Sequence, residues 1–290
     1  MLDDVLVIGG DARSAYLYRV MKRKRIRAAA FGLDLAEGGG IPSRKPLKKA
    51  MESARVVVAP TPLMSGPTDI NAPRSPRPIK LGEVTALLNG GHVFFAGGIG
   101  EDAARRIAAT GAAALDLLKL DRFAIANAIP TAEGAVYVAI DSMPITLSRC
   151  RALVLGAGRV GTALARLLYA FGAKVTVADR NAIDRERVGG MGVDTAELSG
   201  VPRTLRRADV VFNTVPSMIL DEKALASARR GTLYVELASR PFGLDQEAAR
   251  AAGLRVVFAP GLPGRFAPLS SAEYMYEAIR EVMECRDYRD

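Results

Sequence analysis

Leu153-Val154-Leu155-Gly156-Ala157-Gly158-Arg159-Val160-Gly161 reads as a buried aliphatic strand that runs into a glycine turn and then into a helix. Each glycine has a task there: Gly156 permits the tight turn, Gly158 lets the backbone approach a pyrophosphate, and Gly161 allows the helix to pack close to the strand. Arg159 and Val160 fill the variable positions, and the unpaired amides of the new helix face the phosphates. The helix is supported by Leu164, Leu167, Leu168 and Phe171, spaced i, i+3, i+4 and i+7. A second strand, Val175–Ala178, runs into Asp179, 18 residues beyond Gly161. An acid at that place holds the adenosine ribose hydroxyls of a dinucleotide. The segment therefore predicts a Rossmann dinucleotide-binding domain.

Outward from this segment, short apolar strands keep alternating with helical patterns. Val210–Asn213, Leu233–Leu237 and Val256–Phe258 follow it, and Val5–Ile8, Val56–Ala59 and Val93–Phe95 precede it. Strands that are apolar throughout and separated by helices form parallel sheets covered on both faces. The expected fold class is α/β, with two doubly wound parallel-sheet domains. The first, 1–128, is expected to be a flavodoxin-like substrate domain and the second, 129–290, the Rossmann domain, with the closing helix 272–285 free to pack back on the first. The join is placed near 128–150, where Ile129-Pro130-Thr131-Ala132-Glu133-Gly134 is read as opening a hinge helix and Ile145–Leu147 as a strand. Pro60 to Pro78 holds six of the 16 prolines, and a long segment without its own secondary structure is a candidate lid.

Composition narrows the function classes. With 290 residues, 49% of them apolar, the chain has enough material for two cores. No uninterrupted apolar run reaches about 18 residues, so no membrane segment is expected, and the acids at the start of MLDDVLVIGGDAR do not suit a signal peptide. Two cysteines, Cys150 and Cys285, exclude a disulfide framework and suit a reducing cytoplasm. One histidine and two cysteines do not make the usual zinc set, so no metal is expected. The net charge of +9 is compatible with an anionic metabolite or with nucleic acid. Its densest part, Arg19 to Arg27, lacks interleaved aromatics and reads as the solvated end of a helix rather than a nucleic-acid platform.

Polar residues at strand ends supply the remaining candidates. Asp179 repels a 2′-phosphate and favours NAD, whereas Arg180 next to it suits NADP, so both coenzymes stay open. Asn213-Thr214-Val215-Pro216 ends a strand where such sheets bind ligands, beside the expected nicotinamide ribose. Asp11 and Arg13 follow the first strand, Ser239 and Arg240 follow Leu237, and Gly261-Leu262-Pro263-Gly264 follows Phe258; all are expected on one crevice. Arg13 and Arg240 together suit a dianionic ligand. Thr131 and Glu133 are read as first-turn residues of the hinge helix, with Thr131 as N-cap or substrate contact and Glu133 as a favourable first-turn charge or a proton acceptor. His92, alone before an apolar strand, reads as structural.

The segments VIGGDAR (7–13), IPTAEG (129–134), LGAGRVG (155–161), NTVPSMIL (213–220), ELASRPFGLD (236–245) and APGLPGRFAP (259–268) resemble the A subunits of the dipicolinate synthases of spore-forming bacteria. The resemblance implies a two-domain cytoplasmic enzyme of the mother cell. Such an enzyme oxidises the ring product of the lysine-pathway aldolase step to pyridine-2,6-dicarboxylate with NADP or NAD. The resemblance also implies a flavoprotein-like partner, the B subunit, and a homo-oligomer, with neither membrane nor nucleic acid involved. Family members often lack an acid at the end of the second strand, so Asp179 argues against assuming NADP. On this resemblance Arg13 and Arg240 would bind the two carboxylates, helped by the amides of Gly261 to Gly264, and Glu133 or Asp11 would accept the proton. Two other readings remain open. A 2-hydroxy-acid dehydrogenase shares the two-domain plan but needs a histidine acid/base, and a nucleotide-sensing or nucleic-acid-binding module would use the basic cluster.

Overall fold

The computed structural model describes residues 2, 4–33 and 46–287. The chain divides into two compact units, residues 1–127 with 263–290, and residues 128–262. Each holds one parallel sheet.

In the first unit the strands β1 (Val5–Ile8), β2 (Ala28–Phe31), β3 (Val56–Val58), β4 (Val93–Ala96) and β5 (Ala113–Asp116) are ordered β2-β1-β3-β4-β5. This is the flavodoxin-like order, and its direction reverses at β1 and β3. The helices are α1 (Ala12–Arg23), α2 (Leu47–Glu52), α3 (Leu81–Thr85), α4 (Glu101–Ala108) and the start of α5 (Asp121–Ser142). One face of the sheet is covered by α1 and by the C-terminal α12 (Pro268–Asp287), which bring Leu17, Met21, Met275 and Ile279 against Val7 and Phe95. The other face buries Leu6, Ile8, Val57 and Phe94 under Leu81, Val84 and Ile107. The proline-rich segment 60–78 is fastened to this second core by Leu63 and Ile70, with antiparallel bridges Met64 to Ile70 and Asp69 to Lys80. It is a packed loop.

The second unit orders β6 (Arg151–Leu155), β7 (Lys174–Ala178), β8 (Asp194–Ala196), β9 (Val210–Asn213), β10 (Leu233–Glu236) and β11 (Arg255–Phe258) as β11-β10-β9-β6-β7-β8. All pairs are parallel. The Rossmann order is reproduced, and its switch point lies between β6 and β9. Its helices are α6 (Arg159–Ala170), α7 (Ala182–Gly189), α8 (Val201–Leu205), α9 (Glu222–Leu225) and α10 (Gln246–Ala251); α11 (Leu262–Phe266) starts on its last residue and continues in the first unit. Val154, Phe212 and Val235 pack under Leu164 and Leu168 on one face, and Leu153, Val211 and Tyr234 under Leu205 and Leu225 on the other.

Two local expectations are corrected. The IPTAEG segment does not open a helix: α5 begins at Asp121, nine positions before Pro130, and carries that proline in its interior. The alanines at 124, 126, 128, 132 and 135 sustain the helix across the one backbone hydrogen bond that proline removes. Ile145–Leu147 is not a strand either; it belongs to the irregular connection between α5 and β6. By length and composition α5 would also fit a bilayer. Its Phe123 belongs to the core of the first unit, however, and Ala132, Ala135 and Ala139 to that of the second, with the exposed Glu133 among them.

Candidate functional site

At the carboxyl edge of the second sheet a cleft of about 740 Å³ opens beside β6. The glycine turn forms its floor. Gly156 has φ +99°, a conformation that favours glycine. A Cβ on Gly161 would stand 1.9 Å from the Gly156 carbonyl oxygen, so only glycine lets α6 approach the strand this closely. Gly158, by contrast, caps α6 and has no atom within 4 Å of where a Cβ would be. The space above it is open in front of the helix amides, as a pyrophosphate requires.

Asp179 stands on the cleft wall. Its Oδ2 accepts from the Ala157 amide at 2.7 Å and its Oδ1 from the Asn181 amide at 2.8 Å. These bonds fix the carboxylate in place while leaving lone pairs for ribose hydroxyls. Arg180 lines the same wall and is exposed. Thr214, Val215 and Pro216 form the opposite wall, and Thr214 Oγ1 donates to the Leu155 carbonyl at 2.8 Å. Sequence reasoning missed the apolar part of the lining, Leu198, Met218 and Ile219. Of the fingerprint, Arg159, Val160 and Gly161 do not line the cleft.

Asn213 takes a different place from the one expected. Its side chain is fully buried and spent on the protein: Nδ2 donates to the Val215 carbonyl at 2.9 Å and to Glu236 Oε1 at 2.7 Å, and Oδ1 accepts from the Val215 amide. A residue that sequence reasoning passed over, Glu236, is the centre of this arrangement. Only 2% exposed, its carboxylate also accepts from the amides of Ala238 and Gly243 and from the Tyr234 hydroxyl. Burial and the adjacent Glu236 push the Tyr234 phenol far above its ordinary pKa. The network ties the turn after β9 to the turn after β10, which carries Ser239 and Arg240. Both are exposed, and the Arg240 guanidinium lies 5.0 Å from the centre of the Phe242 ring. A glutamate inside a strand motif was the available signal, since an acid at a buried strand end needs donors.

In the first unit the turn after β1 holds Gly9 and Gly10, both with positive φ. Asp11 caps α1, accepting from the Arg13 amide at 2.9 Å. The same carboxylate takes the Arg13 guanidinium: Nε donates to Oδ1 at 3.0 Å and Nη2 to Oδ2 at 2.8 Å. Nη2 also donates to the Thr61 carbonyl. The forked edge of Arg13 is thus engaged internally, and Nη1 is left without a partner among the described residues. Gly264 presses its backbone on this pair, since a Cβ there would meet Asp11 Oδ2 at 2.4 Å.

The other candidates scatter. Thr131 and Glu133 lie in the middle of α5, so neither caps a helix, and Glu133 is exposed between Ile129 and Tyr137, both about half exposed. Leu262 is buried in the core of the second unit, and Pro263 has no amide to donate, which leaves Gly261 and Gly264 of the expected donors. His92 is structural: Nδ1 accepts from the Asn89 amide at 3.1 Å and Nε2 lies 3.3 Å from the Met51 carbonyl. Among the described residues no three metal-ligating side chains cluster. Cys150 is buried, and burial together with Asp209 raises its thiol to about 11.

Comparison with known proteins agrees with this geometry. Residues 4–118 match the family of N-terminal domains of the dipicolinate synthase A subunit. Residues 116–248 match the NAD-binding domain of D-isomer specific 2-hydroxyacid dehydrogenases. The A subunit of dipicolinate synthase from Bacillus subtilis is 29% identical over 282 residues, 96% of this chain and 95% of that protein. The crystal structure of its Bacillus halodurans counterpart superposes with a TM-score of 0.87 at 27% identity, covering 97% of this chain and 98% of its own. A transhydrogenase from Sinorhizobium meliloti, at 17% identity and a TM-score of 0.65, covers 95% of this chain and 94% of its own and shares the fold. Glycine turn, acid at the second strand end and these matches together make the chain an NAD(P)-dependent oxidoreductase that resembles the dipicolinate synthase A subunit over nearly its whole length.

Proposed function

We propose that the chain oxidises a dihydropyridine-2,6-dicarboxylate, derived from the ring product of the lysine-pathway aldolase step, to pyridine-2,6-dicarboxylate. The observation that carries this reading is the extent of the similarity to the A subunit of dipicolinate synthase, which includes the N-terminal domain and not the dinucleotide domain alone. Aromatisation removes one hydride and one proton from the ring, and a nicotinamide dinucleotide supplies the hydride acceptor when bound. The protein has to position the ring, hold its two negative charges and take the proton.

Arg240 binds a ring carboxylate from the turn that Glu236 fixes. Arg13 is the second carboxylate-binding residue, through Nη1, since Asp11 takes its forked edge. Ser239 and the amides of Gly261 and Gly264 are further donors to the substrate. Asp11 and Glu133 are the acids proposed to accept the proton. We assign NAD as coenzyme, on the charge of the Asp179 carboxylate, which two amides hold on the cleft wall and which would repel a 2′-phosphate. A flavoprotein-like B subunit is the proposed partner, in a homo-oligomeric assembly in the cytoplasm of a sporulating mother cell. A 2-hydroxy-acid dehydrogenase reaction is disfavoured, because its histidine acid/base has no counterpart: His92 is the sole histidine and is spent on Asn89 and Met51.

The test is anaerobic mixing of the chain with enzymatically generated aldolase product and each coenzyme, following reduced nicotinamide and pyridine dicarboxylate by absorbance. One reduced nicotinamide should form for each aromatic ring, faster with NAD. No turnover with either coenzyme, with the B subunit present, would contradict the proposal.

A further inference from the structure

The amino edge of the second sheet, opposite the coenzyme cleft, has its own cavity of about 540 Å³. Parallel strands bring their first residues to this edge together, and β6 and β7 both begin with a cation, Arg151 and Lys174. Arg203 on α8 and Arg207 just beyond it add two more. None of these four side chains has an ion-pair or hydrogen-bond partner among the described residues.

That lack of partners is not for want of acids nearby. Glu197 is taken by Arg185 at 3.1 Å. Asp209 is taken on one oxygen by Arg229 and on the other by the Arg151 amide at 2.9 Å. Asp194 alone brings a carboxylate to the cavity wall. Four cations against one acid lining a single concavity repel one another. Thr176 and Thr204 line the same cavity with hydroxyls that make no hydrogen bond among the described residues. Guanidinium forks with hydroxyl donors between them match the oxygens of phosphate groups. The volume suits a small ligand rather than a single ion.

We propose that this cavity is a second anion site, for a small ligand bearing two or more phosphate groups, separate from the coenzyme cleft. Inorganic pyrophosphate is the probe, titrated calorimetrically into the full chain saturated with reduced coenzyme and into the double variant Arg203→Ser/Arg207→Ser. The wild-type chain should bind one pyrophosphate, and the double variant should bind it about tenfold more weakly or worse, with its melting temperature and coenzyme affinity unchanged. Lys174→Ser, on a different element, should weaken binding in the same direction, so a folding defect in the double variant leaves the test intact. Absence of pyrophosphate binding would overturn the proposal. Equal affinity in wild type and variants would do so too, because the anion would then sit elsewhere. Binding of a single-stranded oligonucleotide, lost in these variants while pyrophosphate fails to bind, would overturn it in favour of a nucleic-acid surface.

Discussion

The turn from β1 into α1 and the turn from β6 into α6 are the same element in two conditions. Both follow a buried strand, open on a glycine of positive φ (Gly9 and Gly10 in the first, Gly156 in the second) and lead into a 12-residue helix. In the second unit the cap is Gly158, and the space before the helix amides is open. In the first, the cap is Asp11, whose carboxylate already supplies the anion that a helix N-terminus favours and is itself held by Arg13. Gly10 is crowded as well, with Ser14 Oγ 2.0 Å from a would-be Cβ. One turn leaves the space before its helix amides open, and the other is closed by the protein's own acid. The shared topology therefore does not imply a shared ligand.

The largest effect that would sharpen this contrast is expected at Gly161. With no room for a Cβ beside the Gly156 carbonyl, Gly161→Val should lower the stability of the second unit by about 3 kcal/mol or more, read by chemical denaturation. Arg240→Ala should raise the substrate KM about 10- to 100-fold through loss of a charge-assisted contact, with coenzyme affinity unchanged. An unchanged KM would remove Arg240 from the proposed site. Gly158→Ala should keep the melting temperature of wild type yet weaken coenzyme binding about tenfold, because the methyl group enters the phosphate space. Asp11→Ala should cost more than the roughly 1 kcal/mol of a lost helix cap, about 2 kcal/mol or above, because it also leaves the buried Arg13 guanidinium without its carboxylate, and it should not create a second dinucleotide site. Smallest is a pH effect at Cys150. The folded thiol holds its proton until about 11, whereas the unfolded thiol ionises near its ordinary value of 9.0, so stability should decline as pH rises across that window. Below it, Cys285 alone should react rapidly with a thiol reagent.

The fold was legible where burial is two-sided. Of the nine segments read as strands, Ile145–Leu147 is none; seven, among them Val5–Ile8 and Val210–Asn213, lie inside their sheets, and Val256–Phe258 is an edge strand that kept an apolar run. The three strands that were not read, β2, β5 and β8, are all sheet edges, and Ala28-Ala29-Ala30 and Asp194-Thr195-Ala196 lack the apolar density that a central position demands. The glycine turn of the second unit was legible because Gly156, with positive φ, and Gly161, packed on the Gly156 carbonyl, each answer to a local backbone demand. Glu236 was not, since its role depends on donors from Asn213, Gly243 and Ala238 that only the folded turns assemble. Pro130 misled because a proline usually marks a helix start, and the alanine-rich flanks that carry α5 through it act over a longer span.

The central claim is that one glycine turn, and not its twin, takes the dinucleotide. Equilibrium titration with NADH, followed by nicotinamide fluorescence on wild type, Gly158→Ala and Asp11→Ala, tests it directly. The account predicts one NADH per chain for wild type and for Asp11→Ala, with affinity clearly reduced in Gly158→Ala alone. Undiminished binding in Gly158→Ala, or a loss confined to Asp11→Ala, would contradict it.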